Sequence, residues 1–221
     1  MGKVRFDALK EINLELKRGD FAALAGPSGS GKTTIMNIIG LIDTPERGCV
    51  VIDGAETGAL NSSELTRIRQ EVIGFIFQSF NLLPVLNVFE NIELPLLLGR
   101  KNSRSRALSK QQRKERVESL LEEVGLADKR FNRPAELSGG QQQRVAVARA
   151  LVNEPKIVIA DEPTANLDSE NGTRVLGLMK KVNAERDTTF IFSTHDETIW
   201  EMANRIIFLH DGKIAREAAR T

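Results

Sequence analysis

Phe21-Ala22-Ala23-Leu24-Ala25-Gly26-Pro27-Ser28-Gly29-Ser30-Gly31-Lys32-Thr33-Thr34 is the stretch on which the fold turns. An apolar run ends in a Gly/Ser-rich turn, and from Lys32 onward apolar residues recur at helical spacing, with Ile35, Ile38, Ile39 and Ile42 clustered. This reads as strand, loop, helix. Gly26 through Thr33 fits G-x-x-x-x-G-K-[ST] in the strand-to-helix context that the pattern requires. Glycines let the backbone turn tightly and aim successive N–H groups inward, and the helix start adds its positive dipole end. Segment 26–34 is therefore read as a nest for polyphosphate. Lys32 is expected to place its ammonium on the terminal phosphates, and Thr33 to offer its hydroxyl to a bridging Mg2+. Thr34 extends the array of hydroxyl and N–H groups.

Working outward, Cys49-Val50-Val51-Ile52 before Asp53-Gly54 reads as a second strand, with Cys49 as a buried small residue rather than a reactive thiol. Asn61-Ser62-Ser63-Glu64 supplies cap residues for a helix through Gln70, and Ile73-Gly74-Phe75-Ile76-Phe77 is a further buried strand. Segment 78–152 contains no clear strand; helix signals dominate, including a helix over 109–124 closed by Gly125. Strand runs return at Ile157-Val158-Ile159-Ala160, Thr189-Phe190-Ile191-Phe192 and Ile206-Ile207-Phe208-Leu209, with a helix over 168–183 between the first two. Apolar strands alternating with helices imply an α/β fold with a mainly parallel sheet covered on both faces. The expected organisation is a single domain over 1–221. Its sheet core spans 1–79 and 152–221 and includes an antiparallel β portion, and a helical lobe is inserted at 80–151.

Composition narrows the function classes. The chain has 221 residues, 41% of them hydrophobic, with 31 Lys and Arg against 30 Asp and Glu for a net charge of +1. This excludes disordered and collagen-like chains and gives little support to nucleic-acid binding through phosphate electrostatics. The single cysteine cannot form an internal disulfide, and Met1-Gly2-Lys3-Val4-Arg5 has no apolar secretory core, so a reducing, cytoplasmic compartment is expected. The richest apolar stretch, 82–98, is broken by Pro84, Asn87, Glu90, Asn91, Glu93 and Pro95, so a second chain must supply any membrane span. Between Arg100 and Arg116, eight basic residues accompany one acid, Glu115. The expectation there is a solvated surface balanced by Glu118, Glu122 and Glu123, ahead of a contact with anionic lipid or an acidic partner.

A second group of residues narrows the chemistry. Ile157-Val158-Ile159-Ala160-Asp161-Glu162 is an apolar strand ending in two acids, at the sheet edge where ligands bind in such folds. Asp161 can enter the Mg2+ shell. Glu162, pointing elsewhere if strand alternation holds, is suited to polarise a water for in-line attack on a phosphate.

Leu137-Ser138-Gly139-Gly140-Gln141-Gln142-Gln143-Arg144 supplies a second anion site: Ser138 is a good N-cap, Gly139 and Gly140 expose N–H groups, and a helix follows from Gln141. This segment resembles the signature sequence of ABC-type ATPases. The resemblance runs from about Ala8 to Glu217 and implies further roles. Gln78 matches the glutamine that touches Mg2+ or the attacking water. His195 in Ser193-Thr194-His195-Asp196 matches the histidine that contacts the γ-phosphate. Asp168 in Ala165-Asn166-Leu167-Asp168 matches a contact across the dimer, although Asn166 departs from the usual residue. His210 matches no motif and is expected to be structural. Phe80-Asn81-Leu82-Leu83-Pro84, Glu90-Asn91-Ile92-Glu93-Leu94-Pro95 and the run of three glutamines are similar to lipoprotein-releasing and macrolide-efflux ATPases of the LolD and MacB type. Members usually stack an aromatic residue from an earlier strand on adenine. Phe6 lies too close to Lys32 for this and the chain has no tyrosine, so a misassigned or shortened start is expected.

The resemblance implies an ATP-binding and hydrolysing subunit of an ABC transporter complex. It would form a head-to-tail homodimer over two Mg-ATP, in which Ser138, Gly139, Gly140 and Gln141 meet the other copy's nucleotide. Dimer closure would power export or extraction of a substrate such as a lipoprotein by a separate transmembrane permease subunit. The chain would sit peripherally on the inner face of the membrane and bind no nucleic acid. Two rivals remain open at this point: the ATPase of a non-transport complex of the cell-division type, and a nucleotide-gated binding module with little turnover.

Overall fold

Every residue of β1 (Phe21–Ala25) is buried, and its side chains alternate between two apolar clusters. Phe21, Ala23 and Ala25 enter one cluster, Ala22 and Leu24 the other, as a period of two demands of a central strand covered on both faces. The computed structural model describes residues 7–99 and 108–219. After β1 come α1 (Lys32–Ile39), a short hairpin of β2 (Val51–Ile52) and β3 (Ala55–Glu56), α2 (Ser62–Glu71) and β4 (Ile73–Ile76). Then follow α3 (Val88–Leu97), α4 (Lys110–Glu123) and α5 (Gly139–Leu151). The remainder comprises β5 (Ile157–Asp161), α6 (Ser169–Arg186), β6 (Thr189–Ser193), α7 (Glu197–Met202), β7 (Arg205–His210) and β8 (Lys213–Ala219).

The main sheet has the order β4-β5-β6-β1-β7-β8, parallel throughout except for β8, which runs antiparallel to β7. On one face, Ile35 and Met36 of α1, Leu65 and Ile68 of α2 and Ile52 of the hairpin pack on Ile159, Ile191 and Ile207. On the other, Val88 and Ile92 of α3, Val117 and Leu121 of α4, Val145 of α5 and Val175 and Met179 of α6 form one continuous cluster with Val158, Phe190 and Phe192. Parallel strands bring the carboxyl ends of β1, β4, β5 and β6 to one edge of the sheet. In such sheets ligands bind in the crevice outside those ends.

Local signals explain where the helices start. Asn61, Asn87, Ser109 and Ser138 each cap a helix in a reciprocal box with Glu64, Glu90, Gln112 and Gln141 respectively. Gly125, at φ 65°, follows the end of α4 as expected.

One local reading is corrected, and one strand was not anticipated. Cys49 is exposed rather than buried in a strand. The strand there is only two residues long and belongs to a separate hairpin, so Ile52 turns into the core while Val51 remains 60% exposed. The strand β8 has no apolar run of its own: Lys213, Ala215, Arg216 and Glu217 are exposed at the sheet edge, held by pairing to β7.

Of the basic run, positions 100–107 lie outside the described residues. Beyond them Arg113 pairs with Glu93 at 3.3 Å, Lys114 with Glu118 at 3.8 Å and Arg116 with Glu154 at 3.2 Å; of the acids expected to balance the run, Glu118 does so, whereas Glu123 pairs with Arg186 of α6. Among the described residues no helix is long and apolar enough to cross a membrane.

Candidate active site

β1 delivers the chain into the 26–31 loop, whose first residue has to be glycine. Gly26 has φ 145°, and a Cβ there would lie 2.2 Å from the Leu209 carbonyl oxygen on neighbouring β7. The loop closes onto α1 at Gly31, and no side chain caps that helix start. Backbone N–H groups at an uncapped start are the donors an anion can take. From behind, the β7–β8 turn supports the loop, with the Gly212 N–H donating to the Ser30 carbonyl at 3.1 Å. The Ser30 hydroxyl oxygen is buried without a protein partner. Lys32 folds back over the loop, its Nζ donating to the carbonyls of Gly26 at 2.6 Å and Pro27 at 3.0 Å.

A cleft of about 740 Å3 opens over this loop. Gly26, Pro27, Ser28, Gly29, Ser30, Gly31, Lys32, Thr33 and Thr34 line its floor, and Gln78, Asp161, Glu162 and His195 face it from three other segments, with Ala8 and Ser193. The four strand ends thus bring together the residues expected to touch phosphate, metal and attacking water.

The two acids differ from the simple strand reading. Alternation would turn Asp161 and Glu162 to opposite faces, yet both line the cleft. The reason is that β5 ends at Asp161, paired with Ser193, and Glu162 adopts φ 43°. This left-handed conformation costs a non-glycine residue about 1 to 3 kcal/mol. It persists because both the backbone and the side chain are held. The Glu162 N–H donates to the Ser193 carbonyl at 2.9 Å, and the carboxylate accepts from the Thr194 hydroxyl at 3.2 Å. Its other oxygen lies 2.8 Å from His195 Nδ1. Glu162 is 18% exposed and His195 79%, so the carboxylate is sheltered while the imidazole stands at the mouth of the cleft.

The next residue fixes this corner. Asp196 caps α7 through the Thr198 N–H and accepts from the Thr164 hydroxyl at 2.8 Å, joining the turn after β6 to the turn after β5. Burial raises its carboxyl pKa, but the hydrogen bonds from Thr164 and Thr198 outweigh that, and the group titrates below the ordinary aspartate value.

Ser138, Gly139, Gly140 and Gln141 do not line this cleft. They form the start of α5, with the Ser138 hydroxyl accepting from the Gln141 N–H and the Gln141 carboxamide accepting from the Ser138 N–H. Asp168 is exposed and caps α6, and hydrogen bonds from the backbone and side chain of Asn171 hold its carboxyl pKa low. The two helix starts abut, since a Cβ on Gly140 would come within 2.6 Å of Asn171 Cγ. The expected second anion site and the expected dimer contact therefore adjoin one another, and neither lines the cleft.

Sequence reading did not single out Thr194 or Ala8. Thr194 could have been found from its place between Ser193 and His195, whereas nothing in the sequence marks Ala8.

Comparison with known proteins identifies the family. The family model for ABC transporters matches residues 9–165. The lipoprotein-releasing system ATP-binding protein LolD 1 of Rhodopseudomonas palustris is 47% identical over 96% of this chain and 91% of its own length. The macrolide export ATP-binding/permease protein MacB of Bdellovibrio bacteriovorus is 44% identical over 97% of this chain, which spans 31% of that longer protein. A solved structure, the dimeric ATP-binding cassette MJ0796 of Methanocaldococcus jannaschii in a post-hydrolysis state bound to ADP and Pi, superposes with a TM-score of 0.88 at 45% identity, covering 100% of this chain and 94% of that one. By its family match, its near-full-length relatives and its fold, the chain belongs to the ABC transporter family.

Proposed function

We propose that this chain binds Mg-ATP and hydrolyses it as the nucleotide-binding subunit of a transporter whose membrane-spanning part is a separate permease chain. One observation carries the reading: four strand ends converge Lys32, Thr33, Gln78, Asp161, Glu162 and His195 on a single cleft above a glycine-rich loop. Backbone N–H groups of the loop and the α1 start hold the phosphates, and Lys32 exchanges its two loop carbonyls for the β- and γ-phosphates. Thr33, Asp161 and Gln78 offer a hydroxyl, a carboxylate and a carboxamide, all hard oxygen donors of the type that Mg2+ takes. Among the described residues no cluster of three His, Cys, Asp or Glu forms a cage of its own. That also suits Mg2+, which binds through one or two protein oxygens plus substrate phosphates and water. When bound, Mg2+ would supply neutralisation of the phosphate charge.

Glu162 is the general base, taking the proton of the water that attacks the γ-phosphorus while ADP leaves. Thr194 orients its carboxylate, and His195 hydrogen-bonds the γ-phosphate. Gln78 positions the water and the metal. Ser138 at the start of α5 and Asp168, both exposed, face a second copy, so that two chains close head to tail and each Ser138 completes the other's site. The dimeric state of the solved relative supports this. The Gln78 to Pro95 region, at the start of the 80–151 lobe, then passes closure to the permease. The names of LolD 1 and MacB support export or extraction as the work done, with the chain held peripherally at the membrane by its partner.

Mg-ATP turnover per subunit, measured over a range of protein concentrations, tests the reading. A rate that rises with concentration and saturates is expected of a site completed by a second copy. Turnover independent of concentration down to high dilution would sink the composite site, and an absence of ATP binding would sink the assignment.

A further inference from the structure

The Asn166 side chain donates to the backbone carbonyl of Gln78 at 2.9 Å, joining two turns that lie far apart in sequence. Beyond Gln78 the chain passes through Phe80 at φ 59° and Asn81 at φ 50°. Two consecutive left-handed non-glycine residues need holding in place from outside. The holding comes from α5, where the Arg149 guanidinium donates to the carbonyls of both Phe80 and Asn81. Burial lowers the pKa of Arg149. A Cβ on Gly139 would lie 3.5 Å from the Asn166 carbonyl and 3.8 Å from the Phe80 ring, so the start of α5 touches both turns. Gln78 is exposed, and Asn166 is its side-chain link to the turn that ends in Asp168.

We propose that Asn166 is a positioning residue for Gln78, fixing the backbone of that glutamine so that its carboxamide faces the metal side of the cleft. The inference rests on the proposed Mg-ATP site. Arg149 clamps the far end of the 78–81 turn and Asn166 clamps the near end, leaving the Gln78 side chain as the free part directed at the nucleotide.

The test uses the full chain with Asn166→Ala, which removes the donor, and Asn166→Asp, which keeps the shape but opposes one oxygen to another. Two measurements are made: amide hydrogen exchange over 78–81 without nucleotide, and ATP affinity by calorimetry in EDTA and in Mg2+. Exchange over 78–81 is expected to accelerate in both variants while the rest of the chain is unaltered. The gain in ATP affinity on adding Mg2+ is expected to fall about 10-fold, the scale seen when an outer-shell partner of a metal ligand is removed. Affinity in EDTA should remain that of the parent chain. Unchanged exchange overturns the positioning role, and faster exchange with an unchanged Mg2+ gain overturns its link to the metal. A parent chain that takes up no ATP overturns the reading of the site itself, a result separable because it involves no variant.

Discussion

Replacing Glu162 by Gln separates chemistry from structure, because the two effects differ in size. The carboxylate has two protein partners, the Thr194 hydroxyl at 3.2 Å and His195 Nδ1 at 2.8 Å. A carboxamide of the same shape keeps one oxygen to accept from Thr194 and offers an N–H to a neutral His195. The variant therefore exchanges hydrogen bonds rather than losing them, and the expected stability change stays within about 1 kcal/mol. For a chain of this size that is about 2 to 4 °C in Tm. The reaction loses its general base, for which about 100- to 10,000-fold in rate is typical. That corresponds to about 2.7 to 5.4 kcal/mol of barrier. Phosphate-binding groups are untouched, so ATP is retained and a closed dimer should accumulate. Phosphate release under single-turnover conditions, a thermal melt and size-exclusion chromatography with ATP read the three effects separately. Wild-type turnover in Glu162→Gln refutes the role of the base. A drop of 10 °C or more, of the order of several kcal/mol, would instead make Glu162 a structural residue.

Ser138→Arg fills the helix start expected to dock on the other copy's phosphate, so ATP-induced dimerisation should be lost while ATP still binds to the monomer; a variant that dimerises normally rejects the composite site. Gly26→Ala places a Cβ 2.2 Å from the Leu209 carbonyl at φ 145°, and loss of ATP binding by calorimetry is expected; binding at parent affinity contradicts the tight fit of the loop against β7. Asp196 has a depressed pKa in the folded chain, so its contribution is fully present above the unfolded value and disappears as pH falls through the folded one. Between about pH 5 and pH 3 the parent chain should therefore lose stability more steeply than Asp196→Asn, and parallel urea midpoints for the two would oppose that linkage.

The legible parts of the fold were those where one residue type dictates one conformation. The glycines and Lys32 mark the loop, and Asn61, Ser109 and Ser138 mark helix starts through local hydrogen bonds that need no tertiary partner. The buried strands β1, β5 and β6 stand out because a strand covered on both faces must be apolar throughout. What escaped depended on neighbours distant in sequence. β8 is a strand only because β7 pairs with it, and Cys49 lies outside any strand because the hairpin is too short to bury it. The left-handed turn at Glu162, which brings both acids into one cleft, is set by Ser193 at the end of β6 and by Thr194 just after it. Arg149 looks like an ordinary helix residue until its guanidinium is found on the carbonyls of Phe80 and Asn81. Asn166 was visible as a departure from the family pattern, but its bond to Gln78 was not.

Cys49 is both the chain's only cysteine and exposed. A thiol-directed probe will therefore attach at one defined position without any prior removal of competing thiols. In a pair of identical chains this yields two labels related by the pair's own symmetry, hence a single separation to measure. That separation, followed by spin or fluorescence pairing as nucleotide is added and consumed, gives the opening and closing of the assembly a ruler already present in the native sequence.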